Sequence, residues 1–141
     1  MEAHENTSVT VQATINAPLE KVWQYWTLPE HITKWTQASD DWHAPHATND
    51  LQAGGKFLTR MEARDGSFGF DFEGIYDVVE THSRIEYSMA DGRRVQIFFV
   101  PDGDQTSVTE TFDPEDIHPA DFQKAGWQAI LDNFKKYTEG N

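Results

Sequence analysis

Cysteine is absent from the 141 residues. That excludes disulfide frameworks, thiolate metal sites and cysteine nucleophiles, and it suits a reducing compartment. Basic residues are scarce: 11 Lys and Arg stand against 24 Asp and Glu, a formal net charge of −13. Phosphate backbones and anionic lipid surfaces repel such a chain, so neither a nucleic-acid partner nor membrane insertion is expected. The longest purely apolar run, Ile97-Phe98-Phe99-Val100, is far short of the ~20 residues that cross a bilayer. Met1-Glu2-Ala3-His4-Glu5 shows no basic stretch followed by an apolar one, so no signal peptide is expected and the expected location is cytoplasmic.

Several chemical signatures are missing too. There is no Gly-x-Ser-x-Gly elbow, no His-Glu-x-x-His and no dinucleotide fingerprint. Gly54-Gly55-Lys56 ends like a phosphate loop, but Phe57 stands where Ser or Thr is required and Asp50 where the first Gly belongs, so that reading fails. His43 and His46, near Asp40, Asp41 and Asp50, lack a ligand spacing, because residues three apart on a strand point to opposite faces. No metal and no cofactor are expected.

What the chain has in quantity is aromatic side chains, 13% of the sequence, too many for a disordered segment. The length fits one domain. Residues 1–7 are polar and read as a loose arm, and residues 8–138 as a single domain. Val9, Val11, Ala13 and Ile15 alternate with polar residues, the period of a half-buried strand. Pro18 then suits a helix start, and Val22, Trp23 and Trp26 recur at helical spacing; Pro29 restarts a second short helix carrying Ile32 and Trp35. Residues 39–54, with Pro45 inside Trp42–Leu51, read as a short or irregular edge strand. Runs at Lys56–Ala63, Phe70–Val79, Ile85–Met89, Arg94–Val100 and Thr106–Phe112 follow. Arg64-Asp65-Gly66-Ser67, Asp91-Gly92 and Pro101-Asp102-Gly103-Asp104 separate three of the pairs, which predicts an antiparallel meander. Pro119 opens a long amphipathic helix to about Thr138, with Phe122, Gly126, Ile130, Phe134 and Tyr137 on one stripe. The order (a strand, two helices, about six strands, a helix) predicts an α+β fold, one twisted antiparallel sheet with helices on one face.

Strand phase predicts which side chains point under that helix. They are Phe57, Thr59 and Met61; Phe70, Phe72, Gly74, Tyr76 and Val78; Ile85, Tyr87 and Met89; Val95, Ile97 and Phe99; and Val108, Glu110 and Phe112. Glu110 stands out, because a buried carboxylate is costly unless it is paired or neutralised. Tyr76, Tyr87 and Thr59 bring hydroxyls to the same space. Apolar walls with a few convergent polar groups are how small-molecule sites are built.

Val22-Trp23-Gln24-Tyr25-Trp26, Pro29-Glu30-His31-Ile32 with Trp35, Asn49-Asp50-Leu51-Gln52-Ala53-Gly54-Gly55-Lys56-Phe57, Phe72-Glu73-Gly74 with Val78, and Gly126-Trp127 with Leu131 together resemble a known family. It is the branch named after the activator of heat-shock-protein-90 ATPase, within the START, polyketide-cyclase and birch-pollen-allergen (SRPBCC) superfamily. The likeness covers roughly residues 8–138. It implies a helix-grip fold, in which a curved antiparallel sheet of about seven strands wraps the C-terminal helix around a mostly apolar cavity. It implies no single activity, since the superfamily includes carriers, cyclases and receptors.

Three functions follow as expectations. The preferred one is a binding protein for a small apolar or aromatic molecule or lipid, using Trp35, Phe57, Thr59, Phe72, Tyr76, Tyr87, Phe99, Glu110, Phe122 and Ile130, with Trp35 gating the mouth. The second is a cyclase- or hydrolase-like enzyme with Glu110 as general acid or base. The third is a chaperone-accessory interaction module that uses the acidic surface. The expected partner is that small molecule, with a homodimer left open.

Overall fold

A computed structural model describes residues 8–37 and 39–141; the arm expected over residues 1–7 lies outside them. The chain runs β1 (Val9–Ile15), α1 (Leu19–Thr27), α2 (Pro29–Trp35), β2 (Trp42–Asn49), β3 (Lys56–Ala63), β4 (Gly69–Glu80), β5 (Arg84–Ser88), β6 (Arg94–Asp102), β7 (Gln105–Phe112) and α3 (Ala120–Gly140). The strands form one antiparallel sheet in the order β1-β7-β6-β5-β4-β3-β2. The sheet curls into a half-barrel around α3, the helix-grip arrangement.

The turns follow from backbone chemistry. Gly66, Gly92 and Gly103 sit at φ of 78°, 90° and 64° at three hairpin turns, a region that costs glycine no Cβ clash. The Gly54-Gly55 pair folds the β2–β3 loop back over β4. Gly54 N–H donates to the Tyr76 carbonyl at 2.8 Å, and Tyr76 N–H donates to the Gly55 carbonyl at 2.9 Å.

Phase predicts most of the core. Ile15, Val22, Ile85, Val95, Val108, Phe112, Leu131 and Phe134 are almost wholly buried, and each such side chain contributes roughly 1.5–3 kcal/mol. Two expectations on β4 need correction. Pairing jumps from Tyr76↔Tyr87 to Val78↔Glu86, so Asp77 is an extra residue in a bulge. Past it the phase inverts, and Val79, not Val78, packs on the core, because a one-residue insertion swaps the two faces. Phe70 is 42% exposed, since it lies toward the free end of β4 and rests against Trp42 and Phe68.

α3 is fastened along one side. Lys135 Nζ donates to the Thr14 carbonyl at 2.7 Å, the Asn16 N–H donates to Glu139 Oε2 at 2.7 Å, and Asn133 Nδ2 donates to the Trp35 carbonyl at 3.0 Å. His31 Nδ1 and the Tyr137 hydroxyl are 2.7 Å apart. The helix thus grips β1 and the two short helices. Trp127 stacks on Phe112 of β7 at 4.0 Å and reaches across to Phe72 of β4, edge-on at 6.4 Å. Of the stripe expected on α3, Phe134 is buried and Ile130 and Tyr137 pack on the core, with Leu131 and Thr138 buried beside them; the Phe122 end is exposed. A Cβ on Gly126 would meet nothing within 4 Å, so that glycine serves no close approach.

Candidate functional site

A helix held against β1 while the sheet curls away leaves a space between them, bounded on the sheet side by residues of β2 to β7. It is a cavity of about 240 Å³. Its walls come from α1 and α2 (Trp26, Ile32, Trp35), from β3 to β6 (Phe57, Met61, Phe72, Ile85, Ile97) and from α3 (Trp127, Ile130). Its polar groups are Thr36, Thr48, Thr59, Tyr76, Tyr87 and Glu110. Of the lining residues, Trp26, Ile32, Phe72, Trp127 and Ile130 are partly exposed and Thr48 is exposed.

Glu110 enters from β7, where it pairs with Ile97 on one side and Val11 on the other. It is 6% exposed, and its side chain has no hydrogen bond or ion pair among the described residues. Burial alone pushes its carboxyl up to about 8, because no cation offsets the loss of water. Near neutral pH the group is therefore mostly protonated. Tyr87 is also buried; its hydroxyl is held well above the ordinary tyrosine range by burial, then by Glu110, then by Tyr76. Neither Tyr87 nor Thr59 gives its hydroxyl to a described residue, so both remain available to an occupant.

Tyr76 is different. Its hydroxyl donates to Asn49 Oδ1 at 2.5 Å, and Asn49 Nδ2 donates to the Thr27 carbonyl at 2.7 Å. This chain fixes the last turn of α1 to the end of β2 and to β4. It satisfies one of the carbonyls a helix C-terminus leaves open. Burial raises the Tyr76 hydroxyl, and the Asn49 bond works against that rise. Tyr76 is a wall with its polar end occupied.

Eight of the ten expected site residues line the cavity: Trp35, Phe57, Thr59, Phe72, Tyr76, Tyr87, Glu110 and Ile130. Two do not. Phe99 is 3% exposed and sits deeper, edge-on to Trp23 and Trp26 at 5.2 and 5.7 Å, because α1 covers that part of β6. Phe122 is 66% exposed and stacks on His118 at 5.4 Å, because the first turn of α3 overhangs the sheet. Trp35 is a fixed wall and not a gate: it is 5% exposed, donates its indole N–H to the Tyr25 carbonyl at 2.9 Å and packs on Trp26 and Phe134. Sequence phase could have added Met61, Ile85 and Ile97. Ile32, Thr36 and Thr48 carried no usable signal, since only packing shows which face of a seven-residue helix or an irregular edge strand meets the space. His43 lies 3.8 Å from Glu62, and among the described residues no cluster of three or more His, Asp or Glu is arranged for a metal.

A curled seven-stranded sheet, a gripped C-terminal helix and a half-open, aromatic-walled cavity define a helix-grip protein. The Activator of Hsp90 ATPase homolog 1-like protein family matches residues 16–139, and the chain belongs to that family, within the SRPBCC superfamily. An AHSA1-like protein from Aeromonas hydrophila is 44% identical and superposes with a TM-score of 0.89 over 95% of this chain and 93% of its own. Chr148 from Cytophaga hutchinsonii is 55% identical, with a TM-score of 0.82 over the same shares of 95% and 93%. NE0264 from Nitrosomonas europaea, 18% identical with a TM-score of 0.83 over 99% of each chain, shares the fold. The curated proteins contain no match. No helix among the described residues is long and apolar enough to cross a membrane.

Proposed function

We propose that this chain is a binding protein for a small apolar or aromatic molecule, held in the cavity beneath α3. The observation that carries the reading is the cavity itself. It has about 240 Å³ of space, apolar and aromatic walls, and polar groups (Glu110, Tyr87, Thr59) that no described residue satisfies. A cavity of about 150 Å³ holds benzene, so this one takes a ligand of roughly two fused rings. The proposed setting is the cytoplasm, which the cysteine-free composition suits.

The test is thermal shift and native mass spectrometry with a library of one- and two-ring compounds, on the natural chain and on Ile130→Trp. Ile130 lines the cavity and is only partly buried, so a larger ring there takes up cavity space. A ligand at 100 times its Kd is expected to stabilise the natural chain by about 2.7 kcal/mol and Ile130→Trp much less. Equal stabilisation of both, or none across the library, overturns the reading. A second reading, acid–base catalysis, draws on the same raised carboxyl, since an acid that stays protonated near neutrality can donate in a reaction. Turnover that survives in Glu110→Gln overturns it.

A further inference from the structure

We propose that the cavity is selective for one charge type: a small apolar or aromatic molecule ending in a protonated amine, with the ammonium against Glu110 and the ring among the aromatic walls. The proposal rests on the binding reading above and names the head group that the same site takes.

In the sheet Glu110 is flanked by Val11 of β1 and Ile97 of β6, and the other titratable groups lining the cavity are Tyr87 from β5 and Tyr76 from β4. No Lys, Arg or His lines the cavity. Arg93 acts on Tyr87, but its guanidinium is engaged by Asp91 at 2.7 Å. The fold has therefore desolvated an acid and supplied no counter-cation. An ammonium supplies the missing charge, and its three N–H groups match the two carboxylate oxygens and the unused Tyr87 hydroxyl.

The walls point the same way. Seven of the sixteen lining residues are aromatic, and ring faces attract cations more strongly where water is excluded. Anionic heads fare worst. A fatty acid or phosphate would meet a carboxyl with no cation beside it, inside a chain of net charge −13, whose field also draws cations toward the protein. A neutral head meets the acid in its protonated form and gains a hydrogen bond, with no charge pair to add to it. Desolvating the acid is normally an expensive part of a buried ion pair; here folding has met most of that cost by leaving the carboxyl protonated near pH 7, and the ammonium has only the remaining deprotonation to offset.

Binding then moves a proton. In the empty cavity the carboxyl is largely neutral near pH 7, as its rise to about 8 requires. The arriving ammonium stabilises the carboxylate, and the displaced proton leaves to buffer. Affinity should climb as pH rises toward 8, then fall once the amine itself loses its proton near ~10.

Three probes share one ring system and differ in head: 2-(aminomethyl)naphthalene, 2-naphthalenemethanol and 2-naphthoic acid. Calorimetry at pH 6.5 and 8 is expected to rank amine over alcohol over acid, with the amine gaining about tenfold between the two pH values and the alcohol changing little. Titrations in buffers of different ionisation enthalpy should show release of nearly one proton per amine bound at pH 6.5. Glu110→Gln should bring amine and alcohol to similar affinity and remove the pH dependence; proton release by the natural chain reads the same coupling if that variant does not fold. An alcohol or acid that binds as tightly as the amine overturns the proposal and leaves the cavity a ligand site. Failure of all three probes to bind overturns the proposal, and the binding reading falls with it only when the one- and two-ring library also fails to stabilise the chain.

Discussion

At the scale of single residues, Glu110 couples the site to stability. Its carboxyl titrates near 8 in the fold and near 4.3 in an unfolded chain. Between those values the folded state holds a proton that the unfolded state has lost. Stability therefore falls as pH rises through that window and levels off above it. Glu110→Gln keeps the shape and removes the charge. It is expected to unfold at nearly the same denaturant midpoint as the natural chain at pH 4.5, and to be more stable by up to roughly 4 kcal/mol at pH 8.5. Denaturant titrations at both pH values check this; a difference that does not grow with pH would mean the carboxyl reaches water. The inward phase of Glu110 was legible from Val108 and Phe112 on either side. The Tyr76–Asn49–Thr27 chain was not, because it joins residues 27 and 22 positions apart on three elements, and no local pattern encodes such a pairing.

At the scale of elements, two glycines carry opposite expectations. A Cβ on Gly74 would lie 2.8 Å from the Ser88 carbonyl oxygen and 2.9 Å from the Phe57 ring, so β4, β5 and the cavity wall close on that position. Gly74→Ala should cost about 1–3 kcal/mol through overpacking and push Phe57 into the cavity. Gly126 sits inside α3 with nothing near its missing Cβ, and Gly126→Ala should add about 0.5–1 kcal/mol by helix propensity. Urea midpoints of the two variants should move in opposite directions, and a shared direction would contradict this placement of the glycines. The sequence patterns revealed the elements well, since alternation, Asp-Gly turns and helical stripes are local signals. They failed where geometry is set from a distance. The Asp77 bulge inverts β4 without a distinctive residue. The stripe through Phe122 has correct helical spacing, but the sheet ends before the helix does. Phe99 has the correct phase, but α1 covers it.

At the scale of the whole molecule, charge and cavity set the balance. The net charge of −13 is not relieved by ion pairing, because many of the pairs are short-range, such as Arg93–Asp91, Arg84–Glu80 and Lys135–Glu139. Exposed pairs of that kind contribute about 0–1 kcal/mol each, while the surplus acids repel one another over a Debye length of about 30 Å at 0.01 M salt and 8 Å at 0.15 M. Salt should therefore stabilise this chain overall, although it weakens the individual pairs. Raising NaCl from ~0.01 to ~0.15 M is expected to lift Tm by a few degrees. Asp102 and Asp104, both exposed in the β6–β7 turn, have no hydrogen bond or ion pair from their side chains among the described residues. The double change to Asn removes two charges where that turn already accommodates them. It should raise Tm at low salt and shrink the response to NaCl. If Tm falls on adding salt, the exposed pairs outweigh the surplus charge, and the acidic surface is a stabilising network instead of a strain the fold withstands.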